Sequence, residues 1–433
     1  MYDYIKKGRN KNYFTKKTSK KNGLKKFLKI FFIVFFLLFV IFSFFYCGQE
    51  KEPSSIKTPE LISKNQIQNL LKNISESEFA QKYFTLKFKK ETIVFHTSIN
   101  ENLQTYLDSQ ISTALNSGLG APKVICFAVA DAGTGKILGL KGYDCAPSDN
   151  KAPCTKNLYP AASLFKIISS AAAIETKNYT PNQTMTFNGG KYTLYKRQLS
   201  NSLTKYTNYI KLKDAFAQSV NPVFGKIGYY DLKKDNLIKY SNNFLLNKHA
   251  DTEIPLNTGV IEISDNKYNW AEIASGFNDT TKISVLHAAF LNIPVVNDGF
   301  YTNPALVEKI IDDRQNVRYE NISFPKIKLI NKTTSKRLFE MMERTVKAGT
   351  AKGSFNAYRK GRTMTDLVIG GKTGSISDYS KSVKYDWFTG YAVKKGTKDG
   401  IVFSVLVGHG QYIGTKSSEF ARRLIANYFS HLS

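Results

Sequence analysis

The residues best placed by type and spacing to do chemistry are Ser163 and Lys166. They sit in the run Ser163-Leu164-Phe165-Lys166, which leads into the apolar stretch of Ile167, Ile168 and Ala171 to Ile174. On a helix, residues three apart share a face, so the amine lies within reach of the hydroxyl. An unassisted serine is a feeble nucleophile, and a neighbouring base that takes its proton makes it a competent one. The lysine must be neutral to serve, and apolar neighbours such as Phe165 and Ile167 favour that by raising the cost of its charge. The pattern alone is common in a lysine-rich chain: Ser-x-x-Lys also occurs at Ser54, Ser148, Ser202, Ser264 and Ser323. Of these, only Ser163 opens a long apolar helix.

Ser219-Val220-Asn221 adds a second hydroxyl able to relay a proton to a leaving group, and an amide able to hold a peptide carbonyl. The triplet type recurs, as at Ser63, Ser98, Ser148, Ser241 and Ser264, and any single instance reads equally well as a turn or helix cap. Lys372-Thr373-Gly374 occurs once, after Val368-Ile369-Gly370-Gly371 and before Ser375. On a strand bordering a cleft, its glycines let a peptide approach and pair with the backbone, while lysine and hydroxyls meet a carboxylate.

The elements that must position these groups are legible in outline. Val124 to Gly139 reads as two apolar strands joined by a turn over 131–136 whose glycines supply positive backbone angles. Gly133-Thr134-Gly135-Lys136 superficially resembles a phosphate loop, but Ile137 stands where a hydroxyl would bind metal and a strand comes next, which argues against nucleotide binding. Trp387 to Val393 and Ile401 to Val407 form a second strand pair, and Ser417 or Ser418 is expected to cap a final helix carrying Phe420, Leu424 and Tyr428. Phe84, Leu86 and Phe88 alternate as in a strand, and Leu103 to Ala114 is expected as a helix. Strands at both ends with helices between imply one mixed sheet closed by its termini, in a single α+β domain.

Ile30 to Tyr46, extended back to Phe27, is apolar and long enough to span a membrane. Eleven of the chain's 62 Lys/Arg residues precede residue 30 with one acid, so the positive-inside rule leaves the N-terminus cytoplasmic and exports the chain beyond the span. Cleavage of the segment as a signal peptide and lipid attachment at Cys47 are rival readings. The expected organisation is a basic cytoplasmic tail (1–26), a transmembrane anchor (27–46), a spacer (47–93) and the catalytic domain (94–433). The remaining 51 basic and 33 acidic residues are scattered rather than blocked, which speaks for a solvated surface and no nucleic-acid partner. Five histidines show no metal-ligand spacing, so neither a metal nor a cofactor is expected. Cys126 is expected buried and inert, and a Cys145–Cys154 disulfide stays open.

Ser-x-x-Lys comes first, Ser-x-Asn starts 56 residues later and Lys-Thr-Gly 209 residues after the nucleophile. In that order the three motifs resemble those of the penicillin-binding protein and serine β-lactamase superfamily, over about residues 95–430. Pro160-Ala161-Ala162, Gly349-Thr350-Ala351 and 387–391 look like transpeptidase domains as well. The resemblance implies an antiparallel sheet flanked by helices, of β-lactamase/transpeptidase type, behind one N-terminal transmembrane helix. It implies a D,D-transpeptidase acting on peptidoglycan stem peptides, inhibited by β-lactam antibiotics, at the bacterial cytoplasmic membrane with the catalytic domain outside. Ser163 would be the nucleophile, Lys166 its base and Ser219 the proton relay; Asn221, Lys372, Thr373, Gly374 and Ser375 would bind substrate. No glycosyltransferase region is recognisable, so a separate glycan polymerase would be the partner. Carboxypeptidase or endopeptidase activity stays open, as does a non-catalytic sensor or scaffold. So does β-lactamase activity, because Glu253-Ile254-Pro255-Leu256-Asn257 matches the Glu-x-x-Leu-Asn element of class A enzymes.

Overall fold

The computed structural model describes residues 21–47, 60–146, 152–356 and 362–430. The chain forms two compact units, 1–58 and Pro59–Ser433. In the first, helix α1 (Lys21–Cys47) contains Lys26–Tyr46, 21 residues of mean hydropathy 2.8, long and apolar enough to cross a membrane. The start of the basic tail and the tether at 48–59 lie outside the described residues.

The second unit begins with residues expected as spacer, and they are folded into its core. Helix α2 (Lys64–Leu71) starts at a capping box in which Ser63 and Gln66 satisfy each other's end groups. It buries Ile67 and Leu71, and the short helix α3 (Glu76–Phe79) buries Phe79. Strands β1 (Tyr83–Phe88) and β2 (Glu91–Thr97) come next as a hairpin. Helix α4 (Glu101–Leu115) leads to the expected strand pair β3 (Val124–Asp131) and β4 (Ile137–Asp144).

Every residue from Val124 to Ala130 is buried because both faces of β3 are covered. Ile125, Phe127 and Val129 pack toward α4, whereas Val124, Cys126, Ala128 and Ala130 join the core on the other side. That second side receives helix α5 (Lys166–Lys177), α6 (Leu212–Ala217), α7 (Asn221–Lys226), which Pro222 helps to start, and α8 (Lys267–Ser275). Strands β5 (Val307–Asp312) and β6 (Val317–Glu320) extend the first hairpin into a four-stranded sheet ordered β1-β2-β5-β6. After helix α9 (Lys332–Ala348) come β7 (Leu367–Asp378), β8 (Val383–Lys394), β9 (Gly400–His409) and helix α10 (Ser417–Ser430).

The main sheet has the order β7-β8-β9-β3-β4, joining strands from the two ends of the unit, and each of its ladders is antiparallel rather than mixed. β7, which carries Lys372-Thr373-Gly374, is therefore an edge strand with backbone groups facing outward. One smaller expectation changes, and two points left open by the sequence take a definite form. Ser417 and Ser418 do not cap α10; Asp386 accepts the Ser417 N–H at 2.9 Å, and Ser418 bonds Ser354 instead. Cys145 and Cys154 are both free thiols, the first exposed and the second buried beside Cys126 at Gly142. Glu253 is buried, and its Oε1 accepts the N–H groups of Leu306 and Val307, the latter at 2.6 Å. A carboxylate committed in this way ties its segment to β5.

Because Phe79 is fully buried in the main core, we expect Phe79→Ala to cost about 3–5 kcal/mol in urea unfolding. Leu61→Ala, at an exposed neighbour, should stay within roughly 0.5 kcal/mol. Equal midpoints for the two would mean that residues 60–93 are a spacer after all.

Candidate active site

Ser163 does not open an α-helix directly. It lies on a 3₁₀ turn, Ala162–Phe165, that runs into α5 at Lys166. A 3₁₀ turn has three residues per turn, so positions i and i+3 eclipse and the serine stands in line with the lysine. Lys166 Nζ is 2.7 Å from Ser163 Oγ and 2.8 Å from Asn221 Oδ1, and it also bonds the carbonyl of Ser275. Lys166 is 0 % exposed, and burial, reinforced by the nearby Lys372, holds its amine well below the usual lysine pKa.

The neighbours decide how a neutral amine orients. Asn221 Oδ1 and the Ser275 carbonyl can only accept, so they take the two N–H hydrogens and leave the lone pair aimed at the Ser163 hydroxyl. Asn221 is fixed in this sense because its Nδ2 donates to the Tyr192 carbonyl at 3.0 Å. The arrangement can draw a proton from Ser163 without any rearrangement of the base.

Ser219 lies just beyond α6 with φ of 58°, in the left-handed position that ends many helices and that glycine usually fills. A serine there carries strain, and what it places is its hydroxyl, 3.0 Å from Lys372 Nζ. Ala162, just before Ser163, is a second residue of this kind at φ 48°. Gly276 caps α8 at φ +67°, and a Cβ on it would meet the Ala162 carbonyl at 1.9 Å and Ser163 N at 2.9 Å. Glycine is thus required where α8 delivers the Ser275 carbonyl to Lys166. The lead-in to Ser163 is held by Trp387, whose Nε1 donates to the Pro160 carbonyl at 3.0 Å.

Lys372 is fully buried, and burial pulls its amine down to about 7. Its Nζ also bonds the Thr373 carbonyl at 2.8 Å, while the Thr373 and Thr350 hydroxyls meet at 2.5 Å. Ser163, Ser219, Asn221, Thr350, Thr373, Gly374 and Ser375 together line one cleft of about 550 Å³. Of the residues expected from sequence, Lys166 and Lys372 lie behind the cleft wall and reach it through Ser163 and Ser219. Glu253 does not line it. Sequence reasoning missed the Ser275 carbonyl, Gly276 and Tyr192; the helix-ending Ser275-Gly276 pair was the one available signal.

The penicillin binding protein transpeptidase domain matches residues 125–426. The chain belongs to the penicillin-binding protein transpeptidase family. Among curated relatives, penicillin-binding protein 1A of Clostridium acetobutylicum is 25% identical over 320 residues, covering 68% of this chain and 35% of that protein. Penicillin-binding protein 1A of Clostridium novyi is 26% identical over 200 residues, covering 45% and 19%. The chain thus spans about a third or less of the length of these relatives.

Among solved structures, the D,D-transpeptidase domain of a peptidoglycan glycosyltransferase from Eggerthella lenta superposes with a TM-score of 0.61 at 20% identity, covering 78% of this chain and 83% of that one. Penicillin-binding protein A of Mycobacterium tuberculosis, as an imipenem acyl-enzyme, gives 0.60 at 18%, covering 77% and 79%. At such identities the superpositions establish the transpeptidase fold. Among the described residues no cluster of metal-ligating side chains is present.

A lysine placed as Lys166 is can act as a base only when unprotonated, so any acylation of Ser163 that depends on it should fall as pH drops through the Lys166 pKa. Removing the Lys372 charge makes protonated Lys166 less costly and raises that pKa. We therefore expect Lys372→Met to move the acid limb of the acylation rate to higher pH, read from a pH–rate profile. Lys166→Ala should lower the rate by roughly 10²–10⁴-fold.

Proposed function

We propose that this family member is a serine D,D-transpeptidase that crosslinks peptidoglycan stem peptides through an acyl-enzyme on Ser163. The observation that carries the reading is the 2.7 Å contact between Ser163 Oγ and a buried lysine whose charge is disfavoured. A donor peptide pairs with edge strand β7, its terminal carboxylate on Thr373 and Ser375 with the Lys372 amine behind Ser219 lending its field, and Gly374 allowing the close approach. Asn221 holds the donor amide.

Ser163 Oγ attacks the carbonyl of the penultimate D-alanine while Lys166 takes the hydroxyl proton. The developing oxyanion is met by the backbone N–H groups of Ser163 and Ser375. Collapse breaks the peptide bond, and Ser219, beside Lys372, passes a proton to the departing D-alanine amine. An amine of a neighbouring stem peptide then attacks the ester, frees Ser163 and leaves the crosslink. A β-lactam imitates the terminal dipeptide and stops at the acyl-enzyme.

In the same reading α1 anchors the chain with its basic end in the cytoplasm and the catalytic unit outside, and a separate polymerase supplies the glycan. The burial of Glu253 favours a long-lived adduct over β-lactamase turnover, since a base for deacylating water at that position has no access to the cleft.

Intact-mass analysis of the full chain in detergent after treatment with a fluorescent penicillin tests this directly. We expect one long-lived adduct that disappears in Ser163→Ala. Rapid loss of the adduct would favour a β-lactamase, and labelling independent of Ser163 would sink the mechanism.

A further inference from the structure

Between α5 and α6, residues 176–213 contain seven Lys/Arg and no Asp or Glu, with five tyrosines interleaved among them. The segment forms two short paired strands, Thr184–Phe187 and Asn208–Lys211, with a 3₁₀ turn, Lys196–Leu199, in the connection. Tyr192, Tyr195, Tyr206 and Tyr209 are exposed, and so is every one of the cations but Lys213. Among the described residues Lys196, Arg197 and Lys205 meet no carboxylate; they rest over the rings of Tyr268, Tyr195 and Tyr206 at 5.8, 5.2 and 5.0 Å. Unpaired cations alone describe any solvated basic face. The second observation is a pocket built beside them.

Tyr229, Tyr230, Tyr268, Lys196 and Lys267 line a pocket of about 400 Å³. Tyr229 and Tyr230 stand on a π-helical turn, Ile227–Leu232, that continues α7. Its i to i+5 bonding puts more residues into each turn, so consecutive side chains diverge less and both rings reach one pocket; such turns are rare and recur at functional sites. The rings are held in place. The Tyr230 hydroxyl donates to the Leu199 carbonyl at 2.9 Å and the Tyr268 hydroxyl to the Leu194 carbonyl, while Tyr229 meets Tyr230 edge-on at 4.8 Å. Asp265, next to Asn266 in the pocket wall, is already paired with Lys234 at 2.6 Å. Fixed aromatic surfaces with free cations at their border suit a ligand that is apolar on one face and anionic at its edge.

We propose that this surface binds a phosphodiester polymer carrying sugar substituents, one sugar ring in the tyrosine pocket and the phosphates on Lys196, Lys267 and the cations of 191–211. Six of the seven cations in the segment are lysines, point charges that meet the tetrahedral oxygens of a phosphate from any side, where a planar carboxylate favours the arginine fork. Their spread along the segment fits a ligand with a charge at every repeat better than a single ion. The pocket adds the sugar, because ring faces carry negative charge and reward an apolar ring face rather than an anion. The surface is tied to the cleft: the Lys191 carbonyl accepts the Asn221 N–H at 2.7 Å, and Tyr192 lines the cleft. In the transpeptidase reading, polymer held here lies beside the peptides being joined; the binding itself does not rest on that reading.

Dissociation constants for three end-labelled polymers, measured by fluorescence anisotropy on the full chain in detergent, test the site. The polymers are a poly(glycerol phosphate) with glucosyl substituents, the same polymer without sugars, and a polyglutamate of equal charge. We expect the glucosylated polymer to bind about tenfold more tightly than either other, the worth of covering one sugar face with rings. Lys196→Gln with Lys267→Gln, both at exposed positions, should weaken its binding about tenfold. Lys87→Gln with Lys90→Gln, which removes the same charge from the β1–β2 hairpin, should change it less than twofold. Labelling of Ser163 by a fluorescent penicillin at the parent rate in both double variants shows that each is folded. Equal affinity of the parent chain for the glucosylated and sugar-free polymers, equal or tighter binding of polyglutamate, or equal losses in the two double variants overturns the site and leaves the transpeptidase reading untouched.

Discussion

Keeping one lysine amine dry and uncharged is the constraint on which the rest of the site depends. A buried ammonium is expensive unless paired, and Lys166 has no carboxylate among its contacts; its partners are a hydroxyl, an amide oxygen and a carbonyl. These come from positions 3, 55 and 109 residues away in the chain. The fold must therefore bring α5, α7 and the end of α8 to one point, and it does so by packing them as a group on one side of the main sheet. Lys372, equally buried, adds repulsion from the β7 side and makes Lys166 easier still to deprotonate, while its own amine is lowered by burial.

That convergence is held by backbone conformations that cost energy. Ser219 and Ala162 both sit at positive φ, each roughly 1–3 kcal/mol above an ordinary conformation. Neither is released, because their neighbours are locked: Val220 and Leu164 are fully buried, and Trp387 pins the Pro160 carbonyl. The sheet matters here for its rigidity. β7 is joined to β8 through twelve paired positions, so an edge strand open on one side to a peptide is fixed on the other.

How much of this is legible in sequence depends on how local each signal is. The hairpins β3–β4 and β8–β9 are legible because apolar runs and glycine turns are local patterns, and Ser163, Ser219 and Lys372 because their order and spacing are distinctive together. The Ser275 carbonyl is not legible, since any residue supplies a carbonyl; only Gly276 after it hints at a helix end in a tight place. The 3₁₀ turn at Ser163 reads as α-helix because both bring i and i+3 together. Residues 60–93 look like spacer for a related reason: their apolar positions are few and well separated, and the partners that bury them lie on β5 and in the helical core. The cap on α10 likewise comes from Asp386, 31 residues away, where a local rule points to serine.

Glu253 shows most clearly what spacing leaves undetermined. Its surroundings in sequence match an element that positions a water-activating carboxylate, yet Oε1 is spent on two backbone N–H groups of the Leu306–Val307 segment. Those donors would otherwise be buried and unpaired, so the carboxylate takes the place of a missing strand partner where β5 begins. Burial raises its pKa while the N–H groups oppose the rise, the balance expected of a structural carboxylate held by hydrogen bonds. Lys166 and Glu253 are both buried and both shifted toward neutrality, and only the lysine has a hydroxyl in front of it that opens on a cleft. A perturbed pKa therefore marks a reactive group in this fold only together with a path to substrate.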